Sequence, residues 1–251
     1  MPKTSDSHQA YFFKRQLITI ALVTIFLCVS MLYSNREMTF LLISFFSFLL
    51  TLTFLPKVKV ILGYPYWLHI LLYYMPLFLF PIIWGNSLQS FELNKNILLG
   101  IMIGVILLVS KFNELKEILS GSNMILYNKI SKSEFSYRLY ENFLSVVSEE
   151  LYFRFLIIEL MAISIGRWSI LLSATLFTFS HWLNRWADKM FSVRSYIYHM
   201  LVGLSLGVYY YYTNSLIGCI LAHFIFNSSH YILDYKRMKK REYTVTFDDY
   251  L

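Results

Sequence analysis

The stretch FLSVVSEELYFRFLII, residues 143–158, decides how this chain is read: it is apolar enough for a membrane helix, yet it carries Glu149, Glu150 and Arg154 in its middle. Ionisable groups are costly in hydrocarbon and persist there when they are paired, hydrated or used. The surrounding chain of 251 residues is 57% hydrophobic and only 15% charged, with a mean hydropathy of +0.53. That is more apolar surface than one soluble core needs, and it marks a membrane protein.

Runs of about twenty apolar residues recur along the chain, each long enough for a hydrocarbon core of about 30 Å. The pattern predicts eight, at 16–34, 38–55, 66–84, 97–111, 139–162, 168–184, 194–212 and 215–233. The expected fold is all-α, a polytopic membrane helix bundle with about eight transmembrane helices. An even number of spans returns both termini to one side, where Lys and Arg should collect. Of the 22 Lys and Arg residues, 18 fall on the side of the termini, Arg36, Lys95 and Arg167 on the other, and Arg154 inside a span. Both termini are therefore expected to be cytoplasmic, in a multi-pass protein of the cell membrane. The net charge of +7 is explained by attraction to the anionic inner leaflet and calls for no nucleic acid.

No cleavable signal is expected: Lys14 and Arg15 precede the first apolar run, but it is too long for a signal core and lacks a small-residue exit site. Cys28 and Cys219 lie in different halves and offer neither a disulfide framework nor a thiolate metal site. The polar interval 112–138 reads as a cytoplasmic loop. It divides the chain into 1–138, four plain helices and the loop; 139–235, four helices carrying polar groups; and 236–251, a cytoplasmic tail. The first four helices read as lipid-facing or packing helices, with Gly100 and Gly104 as a close-packing face, as are Gly203 and Gly207 further on.

Polar groups in the last four spans are where function is expected. Glu150 and Arg154 stand four apart on one helix face and read as an ion pair, while Glu149 is rotated by about 100° and left for chemistry. FTFSHW places His181 one turn after Phe177, and AHFIFN places His223 one turn before Asn227. At about 1.5 Å per residue, Glu149 lies roughly 15 Å from the inner boundary, His181 about 10 Å, Asn227 about 12 Å and His223 about 18 Å. All four fall in the inner half of the bilayer. His69, His199 and His230 read as packing or interface residues, Glu159 as snorkelling outward, and the tyrosines at 209–212 as an interfacial belt.

EELYFR at 149–154, FTFSH at 177–181 and HFIFN at 223–227, each in a membrane helix, resemble the E-E-x-x-x-R, F-x-x-x-H and H-x-x-x-N motifs of the CAAX protease and bacteriocin-processing (CPBP, Abi) family of intramembrane glutamic endopeptidases. The resemblance covers roughly 139–233, with no departure at a motif position. It implies that Glu149 and His181 activate a water and that His223 and Asn227 stabilise the oxyanion. A carboxylate in an apolar setting is suited to act as general base and then as acid toward the leaving amine. Glu150 and Arg154 would be supporting residues that lock the helix and orient Glu149.

Two histidines with one or two glutamates could also bind zinc. No H-E-x-x-H pair is present and Asn227 is a poor zinc donor, so the preferred reading has no metal and no cofactor, with a zinc-dependent protease as the alternative. A transporter or proton relay would place Glu and His at similar depth, and a non-catalytic binding protein that confers immunity to a membrane-active peptide could keep the same bundle. The expected partners are the lipid bilayer and a peptide or protein substrate within it. Composition leans bacterial, which favours peptide processing or maturation over prenyl-protein cleavage.

Overall fold

The computed structural model describes residues 4–33, 35–84, 96–120, 127–184 and 192–240, with side chains from residue 13 onward. Among the predicted basic residues, Lys3, Lys95, Arg185, Lys189 and Arg241 lie outside them, as does most of the predicted tail 236–251. The described residues are helical throughout, with no strand. The helices are α1 (Thr4–Leu32), α2 (Arg36–Leu62), α3 (Tyr66–Trp84), α4 (Ile97–Val109), α5 (Phe112–Ser120), α6 (Lys132–Glu149), α7 (Glu159–Ile165), α8 (Trp168–Leu183), α9 (Val193–Thr213), α10 (Leu216–Phe226) and α11 (Ser228–Lys239). Between α6 and α7 the chain continues as a π-helical segment, Glu150–Ile158.

Local chemistry sets several of the boundaries. The Asn35 side chain accepts from the Met38 N–H at 2.8 Å to open α2, and Gly63, at φ +63°, closes it in the left-handed conformation that glycine tolerates. Ser131 caps α6 through the Glu134 N–H at 3.0 Å, and Ser192 and Ser195 form a reciprocal capping box at the start of α9.

All nine residues of the π segment are buried, because the bundle is built around it. One side, with Tyr152, Phe153, Leu156 and Ile157, packs into a core shared with α1, α2, α3 and α8. The other, with Leu151, Phe155 and Ile158, packs into a core shared with α4, α9 and α10. Ser173 of α8 donates to the Phe153 carbonyl at 2.5 Å, and Ser44 of α2 bonds the Tyr152 hydroxyl at 2.8 Å. Side chains from both neighbours thus engage the segment where helix hydrogen bonding departs from α geometry.

Close backbone approach fixes α4 on α10. A Cβ at Gly100 would lie 2.7 Å from the Gly218 carbonyl oxygen, and one at Gly104 2.7 Å from the Ala222 Cα. Gly203 meets Ala174 and Gly207 meets Ile170, each at 3.0 Å, so both predicted glycine pairs are packing faces.

Every predicted span coincides with helix, but length and composition support fewer crossings. Three helices, Phe13–Leu32, Arg36–Leu62 and Tyr66–Trp84, are long and apolar enough to cross a membrane. The count rises to five if the bent pairs α4–α5, turned by 74°, and α10–α11, turned by 46°, are each one span. The helices that fall short include α6, α8 and α9, which pack around the π segment.

Three sequence expectations need correction. The interval 112–138 is largely helical, holding α5 and the start of α6. The tyrosines at 209–212 are divided: Tyr212 is 72% exposed, but Tyr209 and Tyr210 are buried, Tyr209 donating to the Asn96 carbonyl at 2.9 Å and Tyr210 to Glu159. Glu159, read as reaching outward to water, is half-buried and bound to that phenol. In α11, Lys236 donates to the Ile118 and Leu119 carbonyls at 2.8 and 2.6 Å, Arg237 to Asn128 at 3.0 Å and Lys240 to Tyr127 at 2.9 Å. Lys236 thus caps the end of α5, where helix carbonyls lack partners, while Arg237 and Lys240 hold the chain at 127–128 that leads into α6.

Candidate active site

Glu149 is the last residue of α6 and Glu150 the first of the π segment, so two neighbouring carboxylates leave the backbone into different surroundings. Glu149 is 9% exposed and accepts a hydrogen bond from Ser145 Oγ, one turn earlier, at 2.5 Å. It lines a cavity of ≈ 30 Å³ together with His181, Tyr73, Tyr74 and Phe48. About 10–15 Å³ of such space is enough for one water.

His181 reaches this cavity from α8. Its Nδ1 donates to the Phe177 carbonyl at 2.9 Å. A carbonyl oxygen can only accept, so in the neutral ring Nδ1 carries the proton and Nε2 the lone pair. That tautomer presents a base beside a carboxylate in a space sized for water.

Glu150, in contrast, is sealed from solvent. Its Oε2 lies 3.1 Å from Arg154 Nε, which is the expected ion pair. Its Oε1 lies 2.6 Å from His223 Nδ1, a contact between two motifs that spacing alone did not show. The Arg154 guanidinium also sits over the Phe177 ring, 4.7 Å from its centroid, where the ring quadrupole compensates part of a buried charge. Phe177 is the hub: its centroid is 4.6 Å from that of His181 and 6.1 Å from that of His223, so its ring stands between the Glu149–His181 group and the Glu150–Arg154–His223 group.

Asn227 occupies the bend between α10 and α11, with its backbone N–H on the His223 carbonyl at 3.0 Å. Its side chain lines a second, larger cavity of ≈ 560 Å³, shared with Lys111, Arg194, Tyr198, His199 and His230. The structure thus brings Glu149 to His181, and Glu150 and Arg154 to His223, while Asn227 faces the larger cavity and is not among the residues lining the smaller one.

Sequence reasoning missed two contributors. Tyr73 and Tyr74 belong to α3, so the first four helices do more than pack against lipid: one of them walls the Glu149 cavity. His199, read as a packing residue, lies with its ring centroid 4.2 Å from that of His181. As for zinc, among the described residues no group of three or more His, Cys, Asp or Glu side chains is placed to hold a metal ion.

Residues 133–229 match the family model described as type II CAAX prenyl endopeptidase Rce1-like. The match runs from the second residue of α6 to the second of α11 and takes in all three motifs. It is a family of proteases, in agreement with the resemblance carried by those motifs, and it supports a protease here; α1 to α5 lie outside it. No curated protein and no solved structure matches the chain.

Proposed function

We propose that this protein is an intramembrane glutamic endopeptidase that hydrolyses a peptide bond of a membrane-associated peptide or protein, without a metal or other cofactor. The observation that carries the reading is the shared ≈ 30 Å³ cavity of Glu149 and His181, which arrive there from different helices. A water between them attacks the scissile carbonyl carbon and passes its proton to Glu149. Glu149 then delivers that proton to the amide nitrogen as the carbon–nitrogen bond breaks, leaving a carboxylic acid and an amine. Ser145 fixes the carboxylate, and the α3 tyrosines wall its cavity and limit the water that reaches it.

His223 and Asn227 are proposed to stabilise the oxyanion. With Nδ1 facing Glu150 at 2.6 Å, His223 can donate from Nε2 only if the ring is doubly protonated or the shared proton resides on Glu150. Either way Glu150 sets the donor, and Arg154 balances Glu150. In this reading the chain crosses the cell membrane eight times with both termini cytoplasmic, a count that rests on the eight apolar runs and the basic-residue asymmetry of the sequence. Its role lies in peptide processing, signalling, or bacteriocin maturation or immunity.

The test uses purified protein in nanodiscs with two internally quenched peptides, one bearing a C-terminal prenylcysteine motif and one unprenylated. Cleavage by the wild type that survives exhaustive chelation and disappears in Glu149→Gln is the expected result. Activity lost on chelation and restored by zinc would replace the glutamate mechanism with a metal one. Protection of cells against a membrane-active peptide that persists in Glu149→Gln would point to a non-catalytic binding protein.

A further inference from the structure

We infer that His199 is a positioning residue for His181 and forms, with it, the partition between the two cavities. The inference rests on the proposed role of His181, but its structural half can be tested without turnover.

The two histidines occupy matching places on adjacent helices. His181 in α8 bonds its own i−4 carbonyl, Phe177, through Nδ1 at 2.9 Å, and His199 in α9 does the same to Ser195 at 2.7 Å. Each ring is therefore held in one tautomer and one orientation by its own helix. Between the helices the rings meet at 4.2 Å, tilted by 36°, while Phe177 covers His181 from within its own helix at 4.6 Å. The Phe177 and His199 centroids are 6.1 Å apart, so the three rings form one cluster and His181 is flanked on two adjoining sides, by an aromatic hydrocarbon and by an imidazole.

The cavities give this grip a consequence. His181 lines the small cavity with Glu149, and His199 lines the large one with Asn227. The pair stands where the two spaces approach each other, so the group that holds the reacting water and the space able to receive a peptide are separated by these two tilted rings. Removing the His199 ring would take away one of the two rings that keep His181 in its bond to the Phe177 carbonyl, and would open the small cavity to the large one. A misplacement of about 1 Å in a catalytic group can cost about 10²-fold in rate, which is the scale expected here.

His199→Ala and His199→Phe separate positioning from simple packing. In the quenched-peptide assay, His199→Ala is expected to lose roughly 10²-fold in kcat with little change in KM, and His199→Phe, which restores a ring of similar size, to recover most of it. Imidazole 15N NMR of histidine-labelled protein supplies the second readout: His181 should show a single tautomer protonated at Nδ1 in the wild type and in His199→Phe, and averaged nitrogen shifts in His199→Ala. If the wild type cleaves neither peptide, the NMR comparison still decides the positioning claim, and the failure belongs to the proposed activity. A His181 signal unchanged in His199→Ala, or a loss confined to KM, overturns the inference.

Discussion

Glu149 and Glu150 are adjacent in the chain and opposite in circumstance. Glu149 ends an α-helix, keeps 9% of its surface, takes a single hydroxyl donor and opens on a water-sized cavity. Glu150 begins the π segment, has no exposed surface, and touches both Arg154 and His223. A buried charge held between two partners is locked in place, whereas one with a weak partner and a nearby void can change its protonation during a reaction. The contrast assigns chemistry to the first carboxylate and architecture to the second.

The largest effect is expected where that contrast is broken at its reactive side. Glu149→Gln removes the base while keeping the shape, and should lower cleavage by about 10⁴-fold, the upper end of general acid–base contributions, with the thermal midpoint in detergent near that of wild type. A Glu149→Gln protein that unfolds early would exchange the roles of the two carboxylates.

Breaking the architectural side should be felt in stability first. Arg154→Met leaves Glu150 charged in a sealed interior with only His223 beside it, a loss on the order of 3–5 kcal/mol. Thermal unfolding and detergent-solubilised yield measure it; a variant as stable as wild type would mean that the Glu150–His223 contact alone holds the charge. Asn227→Ala comes next, because deleting one oxyanion donor costs about 10²–10³ in kcat and leaves residual activity. Single-turnover cleavage detects it, and an unchanged rate would remove Asn227 from the site. The smallest effect belongs to Ser145→Ala, which deletes the hydrogen bond to Glu149: about 1.5–3 kcal/mol is the usual range for a bond to a charged group, read here as a fall in kcat without loss of fold. Equal kcat in this variant would show that the α3 tyrosines alone hold the carboxylate.

Much of this arrangement was legible in the sequence because its signals are periodic. Apolar runs located the long helices, though not α5, which lies in the interval read as a loop, and the four-residue interval from Glu150 to Arg154 gave their pairing. Depth counted at a fixed rise placed Glu149 and His181 at one level, and they line one cavity. What was not legible depends on which helices are neighbours. His223 meets Glu150 only because α10 packs against the π segment, and Tyr73 joins Glu149 only because α3 packs against α6. His199 was within reach: five residues into its predicted span, it lies about 8 Å deep by the same rise that put His181 at about 10 Å. The apolar count overreached in the other direction at the tyrosines, since phenols suit an interface and also suit a half-buried carboxylate such as Glu159.

The π segment also makes this region sensitive to chain length. A π turn takes in more residues than an α turn, so 150–158 holds a surplus relative to a regular helix of equal rise. In-frame loss of one codon among 155–158 would leave EELYFR unaltered and, with the π turn retained, would swing every later residue by about 100°. Glu159 would then turn from the Tyr210 phenol and Leu160 from its buried seat, and thermal unfolding of the deletion variant would register both losses. A gene for this protein is thus open to conservative letter changes along the segment and closed to a three-base deletion within it.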